Sequence, residues 1–395
     1  MRGLQFVDVP PGIEGAGALQ AALRQRFLDD GAAVVPLPTV SRHVTTAYVD
    51  SVRRALSTLP AEVPDDVAAV LPTSGSTGRP RGVLLTRANL EQSAALADLA
   101  RPGLAQCSWI LALPATSIGG LNVIARSLLS GTDLTALPSI GGALPFDPAD
   151  LIGLIASGPM AVSLVPGQLR AILDNDDATR WLAAAHTVLV GGAAAPEDVM
   201  SRARAVGIAA VSTYGMTETT GGCVFDGIPF PGVTTGVRDD GRISISGPVV
   251  AAGYADPEPT DGFAVEDGDH RFLTSDVGAW DGERLTVLGR ADDIVTVHGV
   301  NVALGEIERI LRAVVDVHEA AVVALPDATS GHRLVAYVAL DGEQSATSTD
   351  LANLVRTQLG GAARPEVIVL DALPHLPNGK IDRLALRSAR EPGKG

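Results

Sequence analysis

The chain repeats one design along its middle: a short apolar run that ends in glycine, proline or hydroxyl residues, followed by a segment with helical spacing. Four such runs are VAAVL (67–71), AVSLV (161–165), TVLVGG (187–192) and AAVSTYG (209–215). Their length and β-branched content predict buried strands, and intervening stretches such as 196–206 predict helices. This alternation predicts an α/β fold with a mostly parallel sheet, whose ligands bind at the carboxyl ends of the strands.

The first run leads into a segment without apolar side chains, TSGSTGRPRG, from Thr73 to Gly82. Small residues let backbone N–H groups approach a phosphate, and hydroxyl groups donate hydrogen bonds to its oxygens. The segment lacks the lysine-serine or lysine-threonine pair that closes a Walker A loop. Taken alone, it fits either a phosphate-binding loop or a loop without function. A strand and a helix over 87–99, capped by Thr86, are predicted to follow.

Composition limits the classes of partner. The chain has 395 residues, of which 46% are hydrophobic and 19% charged, and its net charge is −15. Nucleic acid is not expected as a partner, because phosphate binding requires basic surface. No run reaches the roughly 18–20 apolar residues of a membrane span, and the start MRGLQFVDVPPG has no apolar run typical of a leader. Two cysteines, Cys107 and Cys223, exclude a disulfide framework and favour a cytoplasmic location.

Lysine is rare, since 28 of the 30 basic residues are arginine and only Lys380 and Lys394 are lysine. Lys394 lies in the terminal EPGKG, whereas Lys380 lies in the patterned segment LPNGKIDRLAL. In a chain that otherwise uses arginine, a lysine in such a segment indicates that a compact ammonium group is required. Chance is the alternative on this observation alone.

A second unit is predicted after GRADD (289–293). Before it, residues 232–288 have the glycines, aspartates and short alternating runs typical of antiparallel strands. After it come IVTVHG, a helix from Gly305, the strands AAVVAL and LVAYVAL, a helix over 348–359 and VIVL, which predict an α+β unit of about 100 residues. One face of the first helix is apolar and consists of Ile307, Ile310, Leu311 and Val314.

Five segments in order resemble the motifs of the adenylate-forming superfamily, which contains acyl- and aryl-CoA ligases, adenylation domains and luciferases. They are TSGSTGRPRG, STYGMTET (212–219), TSDVG (274–278), GRADD and PNGKIDR (377–383). The resemblance implies a large amino-terminal α/β domain with several sheets, placed here at residues 1–291. It also implies a small mobile α+β carboxy-terminal domain, placed at residues 292–395. The implied reaction uses ATP, Mg²⁺ and coenzyme A.

The resemblance assigns nucleotide contacts to the motif residues. The β- and γ-phosphates of ATP would be held by the loop residues Thr73, Ser74, Gly75, Ser76, Thr77, Gly78, Arg81 and Gly82. The adenosine would contact Gly191, Gly192, Ala193, Thr213, Tyr214, Gly215, Met216, Asp276 and Arg290. Among these, Tyr214 would lie flat against the adenine, and Asp276 would accept hydrogen bonds from the ribose hydroxyls. Singly, Tyr214 is equally compatible with a core aromatic and Asp276 with a turn former.

Three residues are expected to act on the reacting groups. Thr217 would donate to the α-phosphate, and Glu218 would bind Mg²⁺, since a carboxylate beside a triphosphate is a usual magnesium ligand. Lys380 would bridge the substrate carboxylate and the α-phosphate and stabilise the pentacoordinate transition state. Asp292, at the domain junction, is the expected hinge residue. A surface ion pair between Arg290 and Asp292 is the simpler alternative for that segment.

The front of the chain is short, with only about 70 residues before the phosphate loop. This short front end resembles the short form of the o-succinylbenzoate–CoA ligases of the menaquinone pathway. So do three stretches of the sequence, 113–131, 162–173 and 215–233. The implied substrate, o-succinylbenzoate, has one carboxylate to be activated and another to be recognised. Arg126 interrupts an apolar helical run and would neutralise the second carboxylate; the alternative is that it extends to solvent.

Other substrate contacts are expected from Ser117, Gly191, Gly215 and Thr219. Three positions depart from the family pattern: Ser117 stands where a His or an aromatic is common, Arg81 replaces a lysine, and His298 replaces a glycine in the loop that lines the thiol tunnel. Another acyl- or aryl-CoA ligase, a stand-alone amino-acid adenylation domain and a non-catalytic homologue remain alternatives. An adenylation domain would need an acidic residue for the substrate ammonium, and none occurs between Trp109 and Asp133. The oligomeric state, a homodimer included, stays open.

Overall fold

A computed structural model of the chain describes residues 1–28, 31–41, 44, 46–57, 59–60, 62–73, 81–142, 144–154, 158–256, 262–266, 268–327, 329–340, 347–374 and 381–390. All structural statements concern these residues. Some predicted site residues lie outside them, namely Ser74, Gly75, Ser76, Thr77, Gly78 and Lys380. The backbone of Asp292 is described, but its side chain is not.

The strands are β1 Arg2–Val9, β2 Ala33–Pro38, β3 Glu62–Val63, β4 Val67–Pro72, β5 Gly82–Thr86, β6 Ser108–Leu111, β7 Leu134–Ala136, β8 Met160–Leu164, β9 Thr187–Val190, β10 Ala210–Met216, β11 Gly221–Phe225, β12 Ile228–Pro229, β13 Thr234–Val237, β14 Arg242–Ser246, β15 Gly253–Tyr254, β16 Phe263–Glu266, β17 Asp269–Trp280, β18 Leu285–Arg290, β19 Ile294–Val297, β20 Val300–Ala303, β21 Val317–Asp327, β22 Gly331–Leu340 and β23 Glu366–Leu370. The α-helices are α1 Ile13–Leu28, α2 Thr46–Leu56, α3 Arg87–Ala100, α4 Ile118–Ser130, α5 Pro166–Leu173, α6 Asp176–Ala183, α7 Glu197–Ala205, α8 Leu304–Arg312, α9 Ser348–Leu359 and α10 Arg383–Ser388.

The front of the chain forms a mixed sheet with the strand order β15-β5-β4-β2-β1-β3. Its strands β1, β2 and β4 run parallel, and β4 and β5 form an antiparallel pair. The predicted phosphate loop connects β4 to β5, and its two ends are joined by a hydrogen bond from Thr73 N to Arg81 O of 2.8 Å. The sheet therefore fixes where the loop begins and ends.

The second sheet contains the predicted parallel strands and has the order β12-β11-β10-β9-β8-β6-β7. The five strands from β10 to β7 are parallel, with β11 and β12 added antiparallel at one edge. Its strands β8, β9 and β10 correspond to the predicted strands, and the helix predicted over 196–206 is α7. The predicted α/β class is confirmed.

Between residues 234 and 290, all strands except β15 form an antiparallel sheet in the order β13-β14-β17-β16, with β18 also paired to β17. Strands β21, β22 and β23 form a separate sheet against which α8 packs with Ile307, Ile310 and Leu311 buried. The helix predicted over 348–359 is α9. In the described part of the chain, no helix has the length and apolar character needed to cross a membrane.

The N-terminus of α3 joins the end of β5 to a later segment of the chain. Thr86 Oγ1 accepts a hydrogen bond from Asn89 N at 3.0 Å, and Asn89 Oδ1 accepts one from Thr86 N at 3.0 Å, which completes a capping box. The Asn89 Nδ2 amide also donates to Pro248 O and Val250 O, both at 2.9 Å. Both side chains are buried. The cap thus holds the loop before β15 as well as the helix.

Replacing Thr86 with alanine should lower the free energy of unfolding by about 1 kcal/mol, because one N-cap hydrogen bond is lost. Asn89→Ala should cost more, since it also leaves the carbonyl groups of Pro248 and Val250, the second of them buried, without their donor. Urea denaturation of both variants measures the difference. Equal losses would mean that the Asn89 contacts to residues 248–250 contribute nothing.

Candidate active site

The motif STYGMTET lies where β10 turns back to pair with β11. At Gly215 the two backbones approach so closely that a Cβ atom would lie 2.0 Å from Gly221 O, so only glycine fits. The pairing shifts register between Tyr214 and Gly215, and Thr220 adopts the left-handed conformation with φ 53°. This sharp return places Thr217 and Glu218 in a single 3₁₀ turn at the carboxyl end of the sheet.

Thr219 belongs to the interior of this turn. Its side chain is fully buried. The hydroxyl oxygen accepts a hydrogen bond from Met216 N at 2.9 Å, and the hydroxyl group can donate to Gly221 O, 3.0 Å away. These contacts stabilise the turn and give no support to the predicted contact of Thr219 with a substrate. Thr217 and Glu218, in contrast, remain partly exposed.

Tyr214, Asp276 and Arg290 come together from three different motifs. The Tyr214 hydroxyl donates to Asp276 Oδ2 at 2.8 Å, and Arg290 NH1 lies 3.6 Å from Asp276 Oδ1. Burial, followed by the charge of Asp276, raises the pKa of Tyr214 well above its usual value, so the phenol stays neutral and donates. The carboxylate is thus oriented from both sides at the place where a ribose contact is predicted.

The glycines at the end of β9 face the neighbouring strand β10. A Cβ atom on Gly191 would lie 2.1 Å from Thr213 Oγ1, and Gly192 has φ 80°, in the left-handed region. Gly192 and Ala193 are exposed, so this backbone is open at the carboxyl end of the sheet. The predicted adenine-edge contacts therefore lie beside Thr213 and Tyr214.

Glu218 is held by a residue that lies outside all five motifs. The Tyr254 hydroxyl donates to Glu218 Oε1 at 2.7 Å, and the guanidinium carbon of Arg81 lies 3.9 Å from the centre of the Tyr254 ring. Arg81 also contacts Asp256, with 3.4 Å between Nε and Oδ1. Arg81 is thus already engaged by protein groups at the end of the predicted phosphate loop.

A magnesium site at Glu218 would rely on the nucleotide for most of its ligands. Among the described residues, no group of three or more His, Cys, Asp or Glu side chains is placed to hold a metal ion. Mg²⁺ commonly binds through one or two carboxylates together with substrate phosphates and water. One oriented carboxylate at the carboxyl end of the sheet fits that mode.

Arg126 is buried within α4, and no acidic side chain among the described residues pairs with it. Its Nε atom is buried and has no hydrogen-bond partner in the described part of the chain. The guanidinium carbon lies 5.5 Å from the centre of the Trp109 ring, whose Nε1 atom also has no partner there. Burial lowers the pKa of Arg126 to about 10, so the side chain remains cationic at neutral pH. A buried cation of this kind requires an anion.

The α4 face that carries Arg126 adjoins the active-site turn. One helical turn before Arg126, the Asn122 Nδ2 amide donates to Thr220 O at 2.7 Å. Ser117 is the N-cap of α4, with its hydroxyl accepting from Gly120 N at 3.1 Å and donating to Pro114 O at 2.7 Å. The Ser117 hydroxyl is thus used by the helix, and its contact with substrate stays a prediction.

The segment after Lys380 is anchored by a buried charge cluster. Arg383 NH2 lies 3.0 Å from Glu308 Oε2, and Glu308 Oε1 accepts from Val322 N at 2.8 Å. Burial alone would lower the pKa of Arg383, but the hydrogen bond and charge of Glu308 raise it. His298 occupies the turn between β19 and β20 with φ 49°, a left-handed position that suits the glycine it replaces.

The sequence patterns did not identify Tyr254, Asn122 or Trp109 as site residues. The sequence does contain an indication for Asn122, because it is a polar residue in an apolar helical run and is spaced i, i+4 from Arg126. The sequence contains no such indication for Tyr254 or Trp109, because an aromatic residue in or beside a strand is usually a core residue.

Family comparisons agree with this geometry. The AMP-binding enzyme family matches residues 22–255, and the AMP-binding enzyme C-terminal domain matches residues 306–380. The chain belongs to the AMP-binding enzyme family. The family name agrees with the clustering of Tyr214, Asp276 and Arg290 around a predicted nucleotide site, and the resemblance seen in the motifs is confirmed.

Two curated relatives of this chain are named as 2-succinylbenzoate–CoA ligases. A probable 2-succinylbenzoate–CoA ligase from Mycobacterium tuberculosis is 42% identical over 335 residues, covering 82% of this chain and 85% of that protein. A 2-succinylbenzoate–CoA ligase from Listeria monocytogenes is 30% identical over 337 residues, covering 81% of this chain and 69% of that protein.

Solved structures show the same fold. The ATP-bound crystal structure of MatB from Rhodopseudomonas palustris has a TM-score of 0.72 and 28% identity, covering 91% of this chain and 75% of that one. The o-succinylbenzoate CoA synthetase (MenE) from Bacillus subtilis, in complex with the acyl-adenylate intermediate OSB-AMP, has a TM-score of 0.74 and 23% identity. That match covers 100% of this chain and 89% of that one.

Gly191→Ala should lower the melting temperature, because the added methyl group would lie 2.1 Å from Thr213 Oγ1. The double variant Gly191→Ala/Thr213→Ala should recover most of the loss, since the clashing oxygen is removed. Differential scanning calorimetry of the two single variants and the double variant decides this. A double variant no more stable than Gly191→Ala would show that the contact with Thr213 is not the constraint.

Proposed function

We propose that this chain is an ATP-dependent acid–thiol ligase that joins 2-succinylbenzoate to coenzyme A and releases AMP and pyrophosphate. The proposal rests on membership of the AMP-binding enzyme family and on the two relatives named as 2-succinylbenzoate–CoA ligases. The converging contacts of Tyr214, Asp276 and Glu218 are compatible with it.

One observation carries the choice of a dicarboxylate substrate: the buried guanidinium of Arg126. Its Nε atom has no hydrogen-bond partner among the described residues, and α4 sets it one turn away from the Asn122 contact to the active-site turn. Desolvating a cation is costly unless an anion compensates it. The second carboxylate of 2-succinylbenzoate would be that anion, and Arg binds carboxylates with two parallel hydrogen bonds.

The first half-reaction forms a mixed anhydride. A carboxylate oxygen of the acid, the succinyl one by resemblance, attacks the α-phosphorus of ATP, and the bond to the β-phosphate oxygen breaks as pyrophosphate leaves. We propose that Thr217 donates to the α-phosphate and that Glu218 holds Mg²⁺, which supplies charge neutralisation at the phosphates when bound. Lys380 is proposed to stabilise the pentacoordinate phosphorus, and the residues Thr73 to Gly82 to hold the β- and γ-phosphates.

The second half-reaction transfers the acyl group. The sulfur of coenzyme A attacks the acyl carbon, the carbon–oxygen bond to the phosphate breaks, AMP leaves and the thiol proton is released. We propose that the adenine is held by Tyr214 and by the backbone at Gly191–Ala193 until this step. Asp276, with Arg290, is proposed to hold the ribose. The hydrogen bond from Tyr214 and the nearby Arg290 already orient the Asp276 carboxylate for that purpose.

The two steps are proposed to use two arrangements of the domains 1–291 and 292–395. Five clusters of buried hydrophobic residues in the described part of the chain support that boundary, because none of the five crosses it. Three consist of residues between 9 and 285, and two consist of residues between 297 and 386. Asp292 is the proposed hinge, and the His298–Gly299 turn is proposed to border the path of the coenzyme A thiol. A cytoplasmic location is proposed because ATP and coenzyme A are the co-substrates.

A panel of carboxylic acids, each supplied with ATP, Mg²⁺ and coenzyme A, tests the proposal. Thioester, AMP and pyrophosphate should form in equal amounts, and 2-succinylbenzoate should have the highest kcat/KM. Preference for a monocarboxylic acid would favour the alternative of a different acyl- or aryl-CoA ligase. Formation of ADP and phosphate would overturn the family mechanism, and no reaction with any acid would favour a non-catalytic homologue.

Arg126→Leu should raise the KM for 2-succinylbenzoate about 10- to 100-fold, because a charge-assisted hydrogen bond to the second carboxylate is lost. Benzoylpropionate, which lacks that carboxylate, is the matched control and should change little. Steady-state kinetics with both acids measure the difference. Equal losses on the two substrates would remove Arg126 from substrate recognition.

Lys380→Ala should slow adenylation by about 10²- to 10³-fold, the usual effect of losing one donor that stabilises charge in a transition state. Thioester formation from supplied acyl-adenylate should be nearly unchanged, because the reacting phosphorus is no longer involved. Asp292→Pro should show the opposite pattern if it traps the adenylation arrangement. Single-turnover assays of each half-reaction measure both, and equal slowing of the two steps by Lys380→Ala would contradict domain alternation.

A further inference from the structure

We propose that Tyr254 is a positioning residue that holds Glu218 and Arg81 in one fixed arrangement around the site for the ATP phosphates and Mg²⁺. The inference rests on the proposed function, since it concerns how the chain binds MgATP. It assigns a role to a residue outside the five motifs. Four contacts of the segment 251–256 carry it, and each joins two parts of the site that are far apart in sequence.

The backbone of this segment is tied to both partners. Ala251 N donates to Glu218 O at 2.9 Å, and Ala255 N donates to Gly82 O at 2.9 Å. Between these bonds, β15 pairs antiparallel with β5, which places Tyr254 opposite Val83. The segment therefore links the turn that carries Glu218 to the strand that leaves the phosphate loop.

The hydroxyl group of Tyr254 orients the Glu218 carboxylate. It donates to Glu218 Oε1 at 2.7 Å, the length of a charge-assisted hydrogen bond. A carboxylate that binds a metal is normally held by such a partner, which directs its oxygens toward the ion. Tyr254 is thus placed to decide the orientation in which Glu218 meets Mg²⁺.

The ring of Tyr254 positions Arg81. The guanidinium carbon lies 3.9 Å from the ring centre, a close cation–π contact. The ring is itself fixed by Phe263, with the two centroids 5.1 Å apart and the planes at 81°. One side chain thus contacts both the candidate magnesium ligand and the cation at the end of the phosphate loop.

Two variants separate the two contacts. Tyr254→Phe removes the hydroxyl bond to Glu218 and keeps the ring beneath Arg81, whereas Tyr254→Leu removes both. The affinity for ATP is measured by calorimetry over a series of Mg²⁺ concentrations, without acid or coenzyme A. This readout is independent of turnover, so a failure to use 2-succinylbenzoate would overturn the proposed function without affecting this test.

Mg²⁺ should increase the ATP affinity of the unchanged protein, and in Tyr254→Phe this increase should be about tenfold smaller. Tenfold is the lower end of the effect of losing a group that orients a metal ligand. The affinity without Mg²⁺ should change less than about twofold, because Arg81 keeps its ring contact. In Tyr254→Leu, the affinity without Mg²⁺ should fall as well. These two patterns together are the expected result.

Tyr337→Phe is the matched control, since the Tyr337 hydroxyl is also bonded, to Leu386 O at 3.0 Å, in the proposed carboxy-terminal domain. It should lower the melting temperature without changing the effect of Mg²⁺ on ATP affinity. The proposal is overturned if Tyr254→Phe keeps the full effect of Mg²⁺. It is also overturned if Tyr254→Phe weakens ATP binding equally with and without Mg²⁺, as a general loss of structure would.

Discussion

The backbone of Gly215 lies against the carbonyl group of Gly221 with no space for a side-chain atom, and most of the site depends on this contact. Because the chain reverses there, Tyr214 reaches Asp276 on one side, while the turn that follows presents Thr217 and Glu218. The Thr220 carbonyl in this turn accepts a hydrogen bond from Asn122 of α4, one helical turn before Arg126. Groups predicted to contact the nucleotide and the acid are thus organised by one close backbone approach.

Three charged side chains in this region differ in how the protein compensates them. Glu218 already has a donor in Tyr254, and Arg81 has both an aromatic ring and Asp256. Arg126 is buried without an acidic partner among the described residues, and its only described charge-related contact is the Trp109 ring. The first set is preorganised by the protein itself, whereas we propose that a ligand completes the surroundings of Arg126. That contrast is the physical basis for assigning phosphate binding to one group and acid recognition to the other.

Much of the fold could be predicted from the sequence, because the apolar runs and helical faces repeat with clear periods. The strands β8, β9 and β10 and the helix α9 agree with those patterns. Tyr254 could not be predicted, since its partners lie far away along the chain and depend on β15 pairing with β5. The burial of Thr219 and the capping role of Ser117 were equally inaccessible, because a hydroxyl residue in a motif looks the same whether it faces a ligand or a backbone group.

Activation of the acid as an acyl-adenylate leaves a trace in the oxygen atoms of the products. The acid's carboxylate oxygen that attacks the α-phosphorus remains with AMP after coenzyme A displaces it. With 2-succinylbenzoate labelled with ¹⁸O in both carboxylates, mass spectrometry should therefore find one ¹⁸O atom in each AMP formed and none in pyrophosphate. Unlabelled AMP, with thioester still formed, would rule out an acyl-adenylate intermediate.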